Sequence, residues 1–142
     1  MKQGLSVLLA MVLSTELAPA MDRLGALSEI ESHNNDHAIG RQREVSRFQI
    51  MPAFWAEAKA WNITRQGEPP TNPQSAEAVV SWIMQTRCRA FEGRYHRSPN
   101  DFEYYILWHR PACLVGRTTP RHLTALEADR GRRFALLCQS GD

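Results

Sequence analysis

The sequence predicts a small, mainly α-helical domain of about five helices. Two observations carry this: apolar residues recur at helical spacing in one segment after another, and the strict alternation of a half-buried strand occurs nowhere. A third bounds the size, since 142 residues suit one domain and leave no space for a second catalytic module. With 43% hydrophobic and 23% charged residues, the composition excludes wholesale disorder, a collagen-like chain and a disulfide miniprotein.

Residues 1–20 read as a secretory signal: Lys2, an apolar stretch from Leu5 to Leu13, then the small-residue end Ala18-Pro19-Ala20. The apolar stretch is far shorter than the ~20 residues that span a bilayer, so no stable membrane insertion is expected after cleavage. The domain proper is then 21–142, secreted or periplasmic.

The first helix is predicted from Asp22, a suitable N-cap, to about Ser32, with Leu24, Leu27 and Ile30 on its apolar side. The polar run His33-Asn34-Asn35-Asp36 ends it. Residues 37–50 read as a loop with a basic cluster. Pro52 opens a second helix to about Trp61, rich in alanine. After a Pro- and Gly-containing loop, Asn72-Pro73 starts a long third helix to about Phe91. Its stripe of Val80, Met84, Cys88 and Phe91, with Val79 and Ile83 beside it, marks the expected central core helix. A short helix is predicted from Asn100 to about Trp108. The last begins at Thr119-Pro120, with Leu123, Leu126, Phe134 and Leu137 as its buried side and a bend or early end expected at Gly131.

The net charge of +2 is too small to argue for nucleic acid. Arginines do cluster, at Arg41, Arg43 and Arg47 and again at Arg130, Arg132 and Arg133, and such patches suit local attraction of an anionic polymer. Cys88, Cys113 and Cys138 permit one intramolecular disulfide at most, and three pairings are open; a bond between Cys113 and Cys138 would tether the last helix to the preceding loop. His33 and His37 have metal-like spacing, but the turn-prone residues between them break the helix a metal pair needs, and no metal or cofactor is expected.

The informative stretch is Ile30-Glu31-Ser32-His33, followed by Ala38-Ile39-Gly40 and then Phe48-Gln49-Ile50-Met51-Pro52. In order and spacing these segments resemble the soluble lytic transglycosylase branch of the lysozyme-like superfamily. That branch carries a Glu-Ser pair at a helix end, a glycine-containing loop and a Gly-x-x-Gln-apolar-apolar-Pro segment. An aromatic-Asn pair on a later helix corresponds to Tyr104-Tyr105-Ile106-Leu107-Trp108-His109. Two positions depart from the pattern: Ser46 stands for the glycine three residues before Gln49, and His109 for the asparagine. Serine tolerates a positive φ poorly, so a different loop conformation is expected there.

Glu31 also has a physical case of its own. A carboxyl in the last turn of a helix lies near the negative end of the macrodipole, and apolar cover by Phe48 and tryptophans disfavours its charged form. Both effects keep it protonated near neutral pH, as a general acid toward a glycosidic oxygen must be. Most glycosidases add a second carboxylate. The resemblance implies none. It implies cleavage of the β-1,4 bond between N-acetylmuramic acid and N-acetylglucosamine, with the substrate's acetamido group and C6 hydroxyl completing the reaction and Glu31 then acting as base, to leave 1,6-anhydromuramyl ends. Asp36 is the one nearby acid that could serve as second carboxylate, though its Asn-Asn-Asp setting is that of a turn residue. Glu29 points to the other side of the helix and serves as a control.

Peptidoglycan glycan strands are thus the expected partner, and a monomer is expected. Gln49 can donate to and accept from an N-acetyl group, or tie the loop to the first helix as a buried amide. Tyr104 and Trp108, four apart on one helical face, can stack on a pyranose ring or pack in the core; Tyr105 falls on another face. Ser32 and His109 complete the expected substrate contacts. The alternatives are a non-catalytic peptidoglycan-binding relative of the same fold, a hydrolytic lysozyme, and an unrelated helical protein.

Overall fold

A computed structural model of the chain describes residues 20–116 and 122–139. The expected signal segment therefore lies outside the described residues up to position 19, as does the expected helix start at Thr119-Pro120. Within the described residues the domain is mainly helical: α1 (Arg23–Ser32), α2 (Pro52–Ala60), α3 (Pro73–Tyr95), α4 (Asp101–His109), α5 (Ala112–Val115) and α6 (Ala125–Gln139). No helix among them is long and apolar enough to cross a membrane.

The helix starts follow the capping chemistry of the sequence. The Asp22 carboxylate accepts from the Gly25 amide at 2.6 Å, and the Asn72 side chain caps α3 ahead of Pro73. Asn100 and Glu103 form a reciprocal capping box on α4. At the other end of α1, His33 and Asn34 both adopt left-handed backbone conformations and return their amides to Glu29 and Ser28 carbonyls, which stops the helix at Ser32.

Four consecutive residues of α4, Tyr104 to Leu107, are buried, so this helix is enclosed on all sides. It packs against α3, α5 and α6, and α1 packs on α6. The expected central helix, α3, contributes Val79, Val80, Ile83, Met84 and Phe91 to the same core but keeps an exposed face. Arg23 joins the starts of α1 and α4, donating to Asp101 at 2.8 Å and to the Pro99 carbonyl at 3.0 Å.

Three expectations are corrected here. α6 runs without interruption through Gly131, because the residue is a packing glycine: a Cβ there would lie 2.8 Å from the Phe102 ring. Of the expected buried side of the last helix, Phe134 is buried and Leu123 and Leu137 pack half-buried on the core, but Leu126 is 67% exposed, and Glu127 and Gly131 are buried as well. The three cysteines are free thiols. Cys113 follows the C-terminal end of α4, whereas Cys138 feels the charges of Arg23 and Asp101 at its N-terminal end. A nine-residue helix separates those ends by roughly 13 Å, well beyond disulfide reach.

Residues 39–50 form a tight loop rather than an open one. Single bridges join Ile39 to Val45 and Val45 to Ile50, and the turn between is closed by Gly40 N–H to Glu44 O at 2.8 Å and Arg43 N–H to Gly40 O at 3.1 Å. Phe48 and Ile50 anchor it in the core.

Candidate active site

A cleft of about 660 Å3 opens between this loop, the end of α1 and the C-terminal end of α4. Glu31, Gln49, Trp108 and His109 all line it, so the structure brings four of the six expected site residues to one place.

Glu31 occupies the last turn of α1. Its Oε1 is sealed from solvent and has no hydrogen-bond partner. Burial is the main cause that raises its pKa above the ordinary 4.5, and the charge of Glu44 adds to it; the positive charge of Arg130 and the neighbouring Tyr105 hydroxyl oppose. The outcome is a carboxyl biased toward its protonated form beside a cleft.

Gln49 adopts a left-handed conformation (φ 53°), and its Nε2 donates to the Ser46 carbonyl at 3.1 Å. Its Oε1 and the Glu44 Oε2 converge over the bare α-carbon of Gly40, where a Cβ would collide with both. Ser46 is itself left-handed (φ 71°) and buried, with its Oγ accepting from the Phe48 amide at 3.3 Å. The serine thus keeps the positive φ for which a glycine is normally used, contrary to the different conformation expected of it. The closed turn of residues 45–50 imposes that geometry on it.

The opposite wall is the end of α4. The His109 ring stacks on Tyr105 with centroids 5.8 Å apart, and burial, the main cause, lowers its pKa despite Glu127 at 3.9 Å. Its imidazole is therefore neutral near pH 7. Arg87 reaches from α3 to the last carbonyls of α4, donating to Leu107 O at 2.8 Å and Trp108 O at 2.6 Å; burial takes its pKa down to about 10. Its guanidinium also lies over the rings of Phe54 and Trp108.

Two expected residues stand apart from the cleft. Tyr104 is buried between Phe134, at 6.0 Å, and the Arg23 guanidinium, at 4.6 Å. It shares a helical face with Trp108, but one turn separates them along the axis, and that turn lies under α6. Tyr105, expected elsewhere, is the tyrosine beside Glu31, because it precedes His109 by four residues. Ser32 donates its Oγ to the Arg47 carbonyl at 2.8 Å and accepts from the Asn35 amide at 3.0 Å, so it knits the loop to the helix.

Asp36 is committed elsewhere as well. Its two oxygens take a fork of bonds from Arg47, at 2.5 and 2.8 Å, which hold its pKa below the ordinary 3.8. The second carboxylate in the cleft is Glu44, a residue that sequence reasoning passed over. Arg87 was missed as well, whereas Arg41 and Arg130, which also line the cleft, belong to the two arginine clusters noted in the sequence. The available signal for Glu44 was the short polar turn between the β-branched Ile39 and Val45, which sets whatever it carries opposite the end of the first helix.

No family model, curated protein or solved structure matches this chain.

Proposed function

We propose that this chain is a peptidoglycan-cleaving enzyme of the cell envelope, of the lytic transglycosylase or muramidase type, with Glu31 as its general acid. One observation carries the reading: a carboxyl biased toward protonation, with an unpartnered buried oxygen, borders a cleft shared with an amide side chain and an indole. Gln49 offers both hydrogen-bond roles to an N-acetyl group, and Trp108 offers an apolar face to a sugar ring. The arginines of the cleft suit a glycan whose peptide stems carry carboxylates.

Glu31 gives its proton to the glycosidic oxygen as the bond from the anomeric carbon breaks. The reaction closes in one of two ways. In the transglycosylase form the substrate's C6 hydroxyl attacks the anomeric carbon and Glu31 recovers a proton from it, leaving a 1,6-anhydromuramyl end. In the hydrolytic form water attacks.

The test is release of soluble muropeptides from insoluble peptidoglycan. Glu31→Gln is expected to lower release by at least 100-fold, about the smallest effect of losing a general acid, while Glu29→Gln retains it. Undiminished release by Glu31→Gln overturns the assignment. Binding to peptidoglycan without release by the unaltered chain means a non-catalytic wall-binding protein.

A further inference from the structure

The loop facing Glu31 carries a carboxylate for which the transglycosylase form has no use. We propose that Glu44 is the base that activates an attacking water, so that this cleft hydrolyses its glycan; the inference rests on Glu31 acting as the general acid.

Four observations converge on it. Glu44 and Glu31 line the same cleft from different elements, one on the loop and one at the end of α1. They are close enough for the negative charge of Glu44 to act on the Glu31 carboxyl. Glu44 makes no ion pair among the described residues, whereas Asp36 is spent on Arg47. Finally, its position is held from both ends. Its own carbonyl closes the turn with Gly40, its neighbour Val45 bridges to Ile39 and Ile50, and its Oε2 accepts from the Gln42 amide at 2.8 Å.

That single bond leaves the carboxylate with accepting capacity to spare. The oxygen of Gln49 converges with it over Gly40, so a water that approaches both from the cleft has two acceptors to orient its protons. The backbone around it is also held in uncommon conformations, with Arg43, Ser46 and Gln49 all at positive φ. Such conformations persist where the surrounding structure dictates them, as it does at many functional sites.

The chemistry balances with one water consumed. Glu31 transfers its proton to the glycosidic oxygen as the bond to the anomeric carbon breaks. The water oxygen bonds to that carbon while Glu44 takes one of its protons. The products are a reducing-end N-acetylmuramic acid and an N-acetylglucosamine with a free 4-hydroxyl. Glu31 is left ionised and Glu44 protonated, and exchange with solvent resets both.

The experiment digests insoluble peptidoglycan with the full chain and weighs the released ends by mass spectrometry, an anhydro end being lighter than a reducing end by one water. Reducing ends are expected from the unaltered chain, with release falling by at least 100-fold in Glu44→Gln. Glu44→Asp, which keeps the acid, is expected to retain part of the rate, and a thermal melt checks that both variants fold. Reducing ends formed at full rate by a folded Glu44→Gln protein overturn the role of Glu44. Anhydro ends alone from the unaltered chain do the same, yet leave the Glu31 assignment standing. An absence of any release removes both.

Discussion

The Tyr105 hydroxyl and the Glu31 carboxyl lie against one another behind the cleft, each with an oxygen that is buried and without a hydrogen-bond partner. A site built for stability alone would pair such groups, because an unsatisfied buried polar group costs about 1–3 kcal/mol. Here the cost is carried beside the cleft of about 660 Å3.

Glu31 sets a pH dependence of known sign. Its folded pKa is raised above the ordinary 4.5, so its contribution to stability is fully present below that value and is lost as pH rises toward the folded pKa. Glu31→Gln cannot ionise. Its melting temperature relative to the unaltered chain is therefore expected to climb from pH 4 to pH 8. A difference that stays constant over that range contradicts the buried-acid assignment.

Tyr105→Phe removes the hydroxyl that faces the Glu31 carboxyl without a well-formed hydrogen bond, while keeping the ring packed on His109 and Phe134. Denaturant unfolding is expected to show a gain of about 1 kcal/mol. Because the hydroxyl lowers the Glu31 pKa, the same variant moves the titration of Glu31 upward. A loss of stability would mean that the hydroxyl has a partner in solution.

Asp36→Asn separates the two candidate second carboxylates. The Arg47 fork holds the Asp36 pKa down, so the stability it supplies is present above pH 3.8 and fades as pH falls through the folded value. The pair is about one quarter exposed, and the expected loss at pH 7 is up to about 1 kcal/mol, shrinking as pH falls below 3.8. Glycan release should be retained. Loss of release in a folded Asp36→Asn protein would transfer to Asp36 the role argued for Glu44.

Gly131→Ala tests the contact of α4 with α6. An exposed helical glycine usually gains about 1 kcal/mol on becoming alanine. Here the new methyl would press on the Phe102 ring at under 3 Å, and a net destabilisation of about 1–3 kcal/mol is expected by chemical denaturation. A stabilised variant would show that the ring moves aside freely.

The parts of this architecture visible in the sequence are those decided locally. Asp22, Pro52, Asn72 and Asn100 announce helix starts through their own capping chemistry, and each start lies within a residue of its expected place. What stayed hidden depends on partners distant in the chain. Gly131 looks like a helix breaker until Phe102 is brought against it, and nothing local says that Tyr105, not Tyr104, faces Glu31 until α1 and α4 are brought together. Glu44 sits in a run of charges whose composition suggests only solvent. Two single bridges, too short to register as strand periodicity, turn that run toward Glu31.

Arg87 ties α2, α3 and α4 together at the cleft. From α3 it grips the final carbonyls of α4, and its guanidinium is sandwiched near the aromatic rings of Phe54 on α2 and Trp108. The mouth of the cavity is thereby gauged by the reach of one side chain. The width of that mouth and the firmness of its wall therefore come from the same residue, and a change to one changes the other.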